Sequence, residues 1–98
     1  MDLAKARIED FQPLINDKFA IEVEADGATT LTLTEVDARA GTAASGREPF
    51  ALVFRGDGDT VLPQRIYRLE HNLLGALDIF LVPISQGDDH VLYEAVFN

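Results

Sequence analysis

Apolar residues near the start of the chain stand at Ile8, Phe11, Leu14 and Ile15, spacings of three, four and seven that place them on one face of a helix. The pattern predicts a short helix over about residues 8–16. Proline fits only a first helical turn, so Pro13 requires the helix to start near residues 10–12 or to bend there. Asp10 is a candidate N-cap and Asn16 a candidate stop. From Phe19 the period becomes two, with Phe19, Ile21, Val23 and Ala25 alternating against Ala20, Glu22, Glu24 and Asp26, as in a strand buried on one side. Asp26-Gly27 supplies a turn, and residues 29–38 read as the hairpin partner through Leu31, Leu33, Val36 and Ala38. The phase slips between Leu33 and Val36, which predicts a β-bulge near Thr34 and Glu35.

Residues 40–48 are small or polar and read as a surface loop. Pro49 opens a strand over 50–55 with Phe50, Leu52 and Phe54 on one face, ended by Gly56-Asp57-Gly58-Asp59. Three further strands are predicted over about 64–70, 77–83 and 91–97. The last two differ from the others in being apolar on both faces. Leu77, Ile79 and Leu81 back onto Phe80, Val82 and Ile84, while Val91, Tyr93, Ala95 and Phe97 back onto Leu92 and Val96. Such strands need cover on both sides, from the helix, a second layer of sheet or another chain. The whole predicts one domain, residues 1–98, mainly β with a short N-terminal helix. Six antiparallel strands would form a small barrel or sandwich whose strand order stays open.

Composition narrows the class. With 98 residues, 47% of them hydrophobic and 26% charged, the chain has the balance of a globular domain with one core. No apolar run reaches membrane-spanning length and the first ten residues mix charges, so a cytoplasmic chain without membrane insertion is expected. There is no cysteine, hence no disulfide and no thiolate metal site. The net charge of −9 disfavours nucleic acid as a partner. Charge is also uneven. Residues 39–68 hold Arg39, Arg47, Arg55, Arg65 and Arg68 against Glu48, Asp57 and Asp59, a net of +2 that leaves −11 on the remainder. This segment could dock an acidic partner or a second copy; pairing within the chain is the simpler reading.

Candidate chemistry is sparse. Gly41 and Gly46 have the spacing of a phosphate-binding loop, but Arg47-Glu48 stand where lysine and a hydroxyl residue are required. Asp57-Gly58-Asp59 starts like a calcium loop, yet Val61 and Arg68 occupy ligand positions. Asp88-Asp89-His90 offers ligand atoms on neighbouring residues, which diverge in extended chain. Neither a metal nor a cofactor is expected. His71 shares a predicted strand face with Tyr67 and Leu69, and it reads as a turn-forming residue whose ring bonds backbone between Asn72 and Gly75. A sharper reading makes Tyr67 and His71 ligand contacts at a barrel mouth, with nearby arginines fixing a small anion. A hydrolase built on His71 and Glu94 has only generic residues behind it.

The run 62–71, LPQRIYRLEH, followed by Leu74-Gly75, Phe80-Leu81-Val82-Pro83 and Tyr93-Glu94-Ala95-Val96-Phe97-Asn98, resembles an uncharacterised family of short bacterial proteins. Residues 10–14, DFQPL, are similar too. The resemblance supplies no catalytic residues. It implies a gene context beside proteins similar to phage-tail collar and fibre domains, and hence an accessory role in a tail-like or surface assembly. The expectation is therefore a non-enzymatic protein-interaction module, self-associating or bound to a protein partner. Its surface would comprise the outward residues Phe80, Val82, Ile84, Leu92 and Val96, together with Arg55, Arg65 and Arg68.

Overall fold

The computed structural model describes residues 1–23, 27–41, 46–58 and 60–98. Helix α1, Ile8–Phe11, runs straight into a 3-10 turn, Gln12–Leu14. Pro13 explains the change, because it has no N–H with which to continue the α ladder. Asp10 is not the N-cap expected for it. It occupies the third helical position, where its carboxylate accepts the Arg7 backbone N–H at 2.8 Å and its own N–H donates to the Arg7 carbonyl at 3.0 Å. Asn16 does end the helical segment, at φ 79°. Asparagine tolerates that left-handed conformation better than most residues.

Six strands follow: β1 Lys18–Val23, β2 Gly27–Ala38, β3 Phe50–Asp57, β4 Arg65–His71, β5 Gly75–Gln86 and β6 His90–Phe97. They close into an antiparallel barrel in the order β1-β2-β3-β6-β5-β4. This order joins two meanders, β1-β2-β3 and β4-β5-β6, each with a middle strand of 12 residues. Each middle strand serves two neighbours in turn. Residues 27–32 of β2 pair with β1 and residues 32–38 with β3, the register shifting between Leu33 and Glu35, where the slipped phase predicts the bulge. In β5, residues 75–81 pair with β4 and the remainder with β6, with a shift between Pro83 and Ser85. Such bulges bend a strand round a barrel corner. Pro83 lies beyond the last β4 pair and beside the bulge, where a missing N–H is tolerated. The strand predicted to end there continues to Gln86.

The meanders join unequally. β3 and β6 pair along their whole length, from Phe50 opposite Phe97 to Asp57 opposite His90. β1 meets β4 only through Ala20 opposite Glu70 and Ile21 opposite Leu69. Inward residues fill the barrel, among them Phe19, Ile21, Leu33, Leu52, Phe54, Leu69, Leu81 and Tyr93, all fully buried. One end is plugged by Phe11 and Leu14 of the helical segment, with Phe11 ring centroids 5.9 Å from Phe50 and 5.7 Å from Phe97. Leu62, in the connection before β4, is buried in the same core. Ala38, expected to face inward, is exposed at the end of β2. The turn residue Asp26 and residues 42–45 of the expected loop lie outside the described residues, as do Ala25 and Asp59.

Candidate functional site

The helix plugs an end of the barrel and leaves Phe80, Ile84 and Val96 on the outside of the sheet exposed. That exterior has two characters. On β1 and β2 the outward residues are polar or small, among them Lys18, Ala20, Glu22, Thr30, Thr32 and Asp37. Across β4, β5, β6 and β3 large apolar residues stand among charged ones such as Arg68, Asp78 and Arg55. Ile66 is 65% exposed, Phe80 49%, Ile84 49% and Val96 44%. Ile66 lies opposite Phe80, Val82 opposite Glu94, Glu94 opposite Val53, and Val96 opposite Ala51. Side chains opposite one another on neighbouring strands touch, so the exposed apolar residues cluster on β4, β5 and β6, with the charged Glu94 set between Val82 and the buried Val53. Val82 and Leu92 are half-buried within this cluster, and Ala51 and Val53 lie beneath its β3 margin.

Five apolar residues singled out from the alternation, Phe80, Val82, Ile84, Leu92 and Val96, thus come together on β5 and β6. Ile84 reaches the surface by a different route from the one its spacing suggests, since it is the extra residue of the β5 bulge. Ile66 joins them without a local signal in the sequence, because its strand alternates cleanly and carries a single outward isoleucine. Val53 and Ala51 make β3 a third strand with apolar residues on both faces.

The three arginines do not form one patch. Arg55 Nη2 lies 3.5 Å from Asp89 Oδ2 and Arg68 Nε lies 3.7 Å from Asp78 Oδ1, both in exposed pairs. Such pairs contribute little to stability. Arg65 shares the inward alternation of Tyr67 and stacks its guanidinium 4.9 Å from that ring. His90 Nδ1 donates to Asp89 at 2.8 Å, which holds the exposed Asp89 carboxyl below its usual range, with help from Arg55. Among the described residues no three groups of metal-ligand type converge.

Tyr67 and His71 face inward on β4 with Leu69 between them. The Tyr67 hydroxyl donates to the Pro63 carbonyl, and the Tyr93 hydroxyl accepts the Leu62 N–H at 2.9 Å. Burial pushes the Tyr67 phenol above its ordinary value, against the pull of Arg65 and with a smaller push from Tyr93. His71 Nδ1 accepts the Leu73 N–H at 3.0 Å, so the ring proton sits on Nε2 and is donated to Asp17 at 2.9 Å. The ring packs 4.7 Å from Phe19. The turn-forming role expected of His71 is the one it has. Glu94 points outward from β6, two strands away, and does not meet it.

Glu94 itself stands between Val53 and Val82, half-buried, with no hydrogen bond or ion pair among the described residues. No described helix is long and apolar enough to cross a membrane. A family model for a domain of unknown function matches residues 6–97. No curated protein and no solved structure matches the chain.

Proposed function

The chain belongs to the family described as domain of unknown function DUF6916, and from its two-sided barrel we propose that it is a non-catalytic protein-interaction module of a larger assembly. One observation carries this reading: the cluster of exposed apolar residues Ile66, Phe80, Ile84 and Val96 on β4, β5 and β6, on a barrel whose β1–β2 exterior is polar or small. In the closed barrel every strand has a neighbour on each side, and only short stretches at the narrow β1–β4 seam lack one, so the faces offer the larger surface for association. An exposed apolar cluster, rimmed by charged residues such as Arg68, Asp78 and Arg55, has the form of a docking site. The sequence resemblance suggests a tail-like or surface assembly as the setting, with the module as an accessory.

A role as a small-anion-binding barrel would use Tyr67 and His71. Both side chains already spend their polar atoms on Pro63, Asp17 and Leu73, and a ligand would have to displace those partners. The docking face needs no such rearrangement.

The test is size-exclusion chromatography of host extract containing the tagged chain, with partners identified by mass spectrometry. The wild type is expected in a species larger than its monomer, and the double variant Phe80→Ser, Val96→Ser as the monomer. A wild-type chain that elutes only as monomer and brings down no protein overturns the reading.

A further inference from the structure

We propose that the apolar outer face recognises a cationic anchor, an arginine or lysine side chain of a partner protein set among apolar neighbours, and that Glu94 receives its charge. This rests on the docking role above and names the chemistry of the partner.

Glu94 is placed for this by its strands. Its cross-strand neighbours are Val53 on β3 and Val82 on β5. Along β6, Leu92 and Val96 lie on the same side of the strand, two residues away in either direction. The four nearest positions of this face are thus aliphatic, and the nearest basic residue, Arg55, stands diagonally across on β3 opposite Leu92 and is engaged with Asp89. The other carboxylates noted on this exterior, Asp78 and Asp89, have arginine partners within the chain, whereas Glu94 has none among the described residues. A half-buried glutamate flanked by valines loses hydration when a partner covers the face, and that partner must supply a counter-charge or incur a desolvation cost. An arginine or lysine meets both needs, since its methylene stem packs on Val82 and Val96 while its head group reaches the carboxylate. Arginine is also the charged residue most enriched at the centre of interfaces. At long range the net charge of −9 attracts a basic partner and disfavours a second copy.

Peptides of sequence Val-Thr-Leu-Xaa-Leu-Thr-Val, with arginine, its neutral isostere citrulline or glutamate at Xaa, test the proposal by amide chemical-shift titration of the whole chain. The arginine peptide is expected to shift the Val53, Val82, Glu94 and Val96 amides and to bind about tenfold more tightly than the citrulline peptide. In Glu94→Gln, an isosteric change on an outward residue, that preference is expected to vanish while the melting temperature stays unchanged. Equal binding of the arginine and citrulline peptides at this face overturns the cationic anchor but leaves the docking role standing. Concentration-dependent shifts at the same residues without peptide identify a second copy as the occupant and also overturn the proposal. If no peptide perturbs the face, the cationic anchor is overturned, while the docking role stands or falls separately on the host-extract complex.

Discussion

Arg47 ties two distant stretches of backbone to its own loop with one planar fork. Its Nη1 donates to the Leu3 and Ala6 carbonyls at 2.8 and 2.7 Å, and its Nε and Nη2 donate to the Asn98 main-chain oxygen at 3.1 and 2.8 Å. The guanidinium also lies 5.8 Å from the centroids of both Phe50 and Phe97. Lysine cannot reproduce this fork, so Arg47→Lys is expected to cost ~2 kcal/mol, read as a lower urea midpoint with an unchanged slope. Tyr67 gives a pH-dependent counterpart. Its folded-state ionisation lies above the unfolded one, so its contribution is fully present below the ordinary tyrosine range and is lost as pH rises through the raised value. Denaturation followed from pH 8 to pH 11 should show the wild type weakening on the alkaline side and Tyr67→Phe weakening less.

At the scale of elements, the narrow seam between β1 and β4 governs closure. Backbone pairing there is limited to Ala20 with Glu70 and Ile21 with Leu69, and the Asp17–His71 hydrogen bond extends it by one side-chain link. Asp17 in turn accepts the Leu33 N–H at 3.0 Å, so β1, β2 and β4 are held at one point. His71→Ala removes this link and the buried ring beside Phe19, and a loss of about 2–4 kcal/mol is expected. Native-state hydrogen exchange should then speed up first at Ala20, Ile21 and Leu69; uniform acceleration across all six strands would contradict the local role. The two bulges differ in how visible they are beforehand. The one at Leu33 and Glu35 breaks a clean alternation and shows as a phase slip. The one at Pro83 and Ser85 falls where β5 is apolar on both sides, so no phase exists to slip.

For the whole molecule, the contrast between the polar or small β1–β2 exterior and the exposed apolar cluster on β4, β5 and β6 sets the behaviour expected of surface variants. In an isolated chain the side chains of Phe80 and Val96 lie half in water, so serine at both positions should change the melting temperature by only a few degrees, while the host-extract complex is lost. A large fall in melting temperature would mean that these residues belong to the core and not to an interface. Glycine positions contribute little to this surface, with one exception in the interior. A Cβ on Gly56 would stand 2.8 Å from Leu31 Cδ2 and 3.2 Å from the Tyr93 ring, so β3 needs glycine there to let those side chains fill the barrel.

Period and punctuation in the sequence were enough to place the helical segment through Phe11 and Leu14, all six strands, the first bulge and the excess of apolar outward residues on β5 and β6, whereas Ile15, expected on the same helical face, lies past the helix end and is exposed. The features so placed are local properties, fixed by whether neighbouring side chains repeat every two residues or every three to four. The order of strands, the plugging of one barrel end by Phe11 and Leu14, and the position of Glu94 between Val53 and Val82 were decided only in the tertiary structure. Val53 and Glu94 are far apart in the chain and become neighbours because β3 pairs with β6, a choice made by the closure of the whole barrel that no single segment encodes.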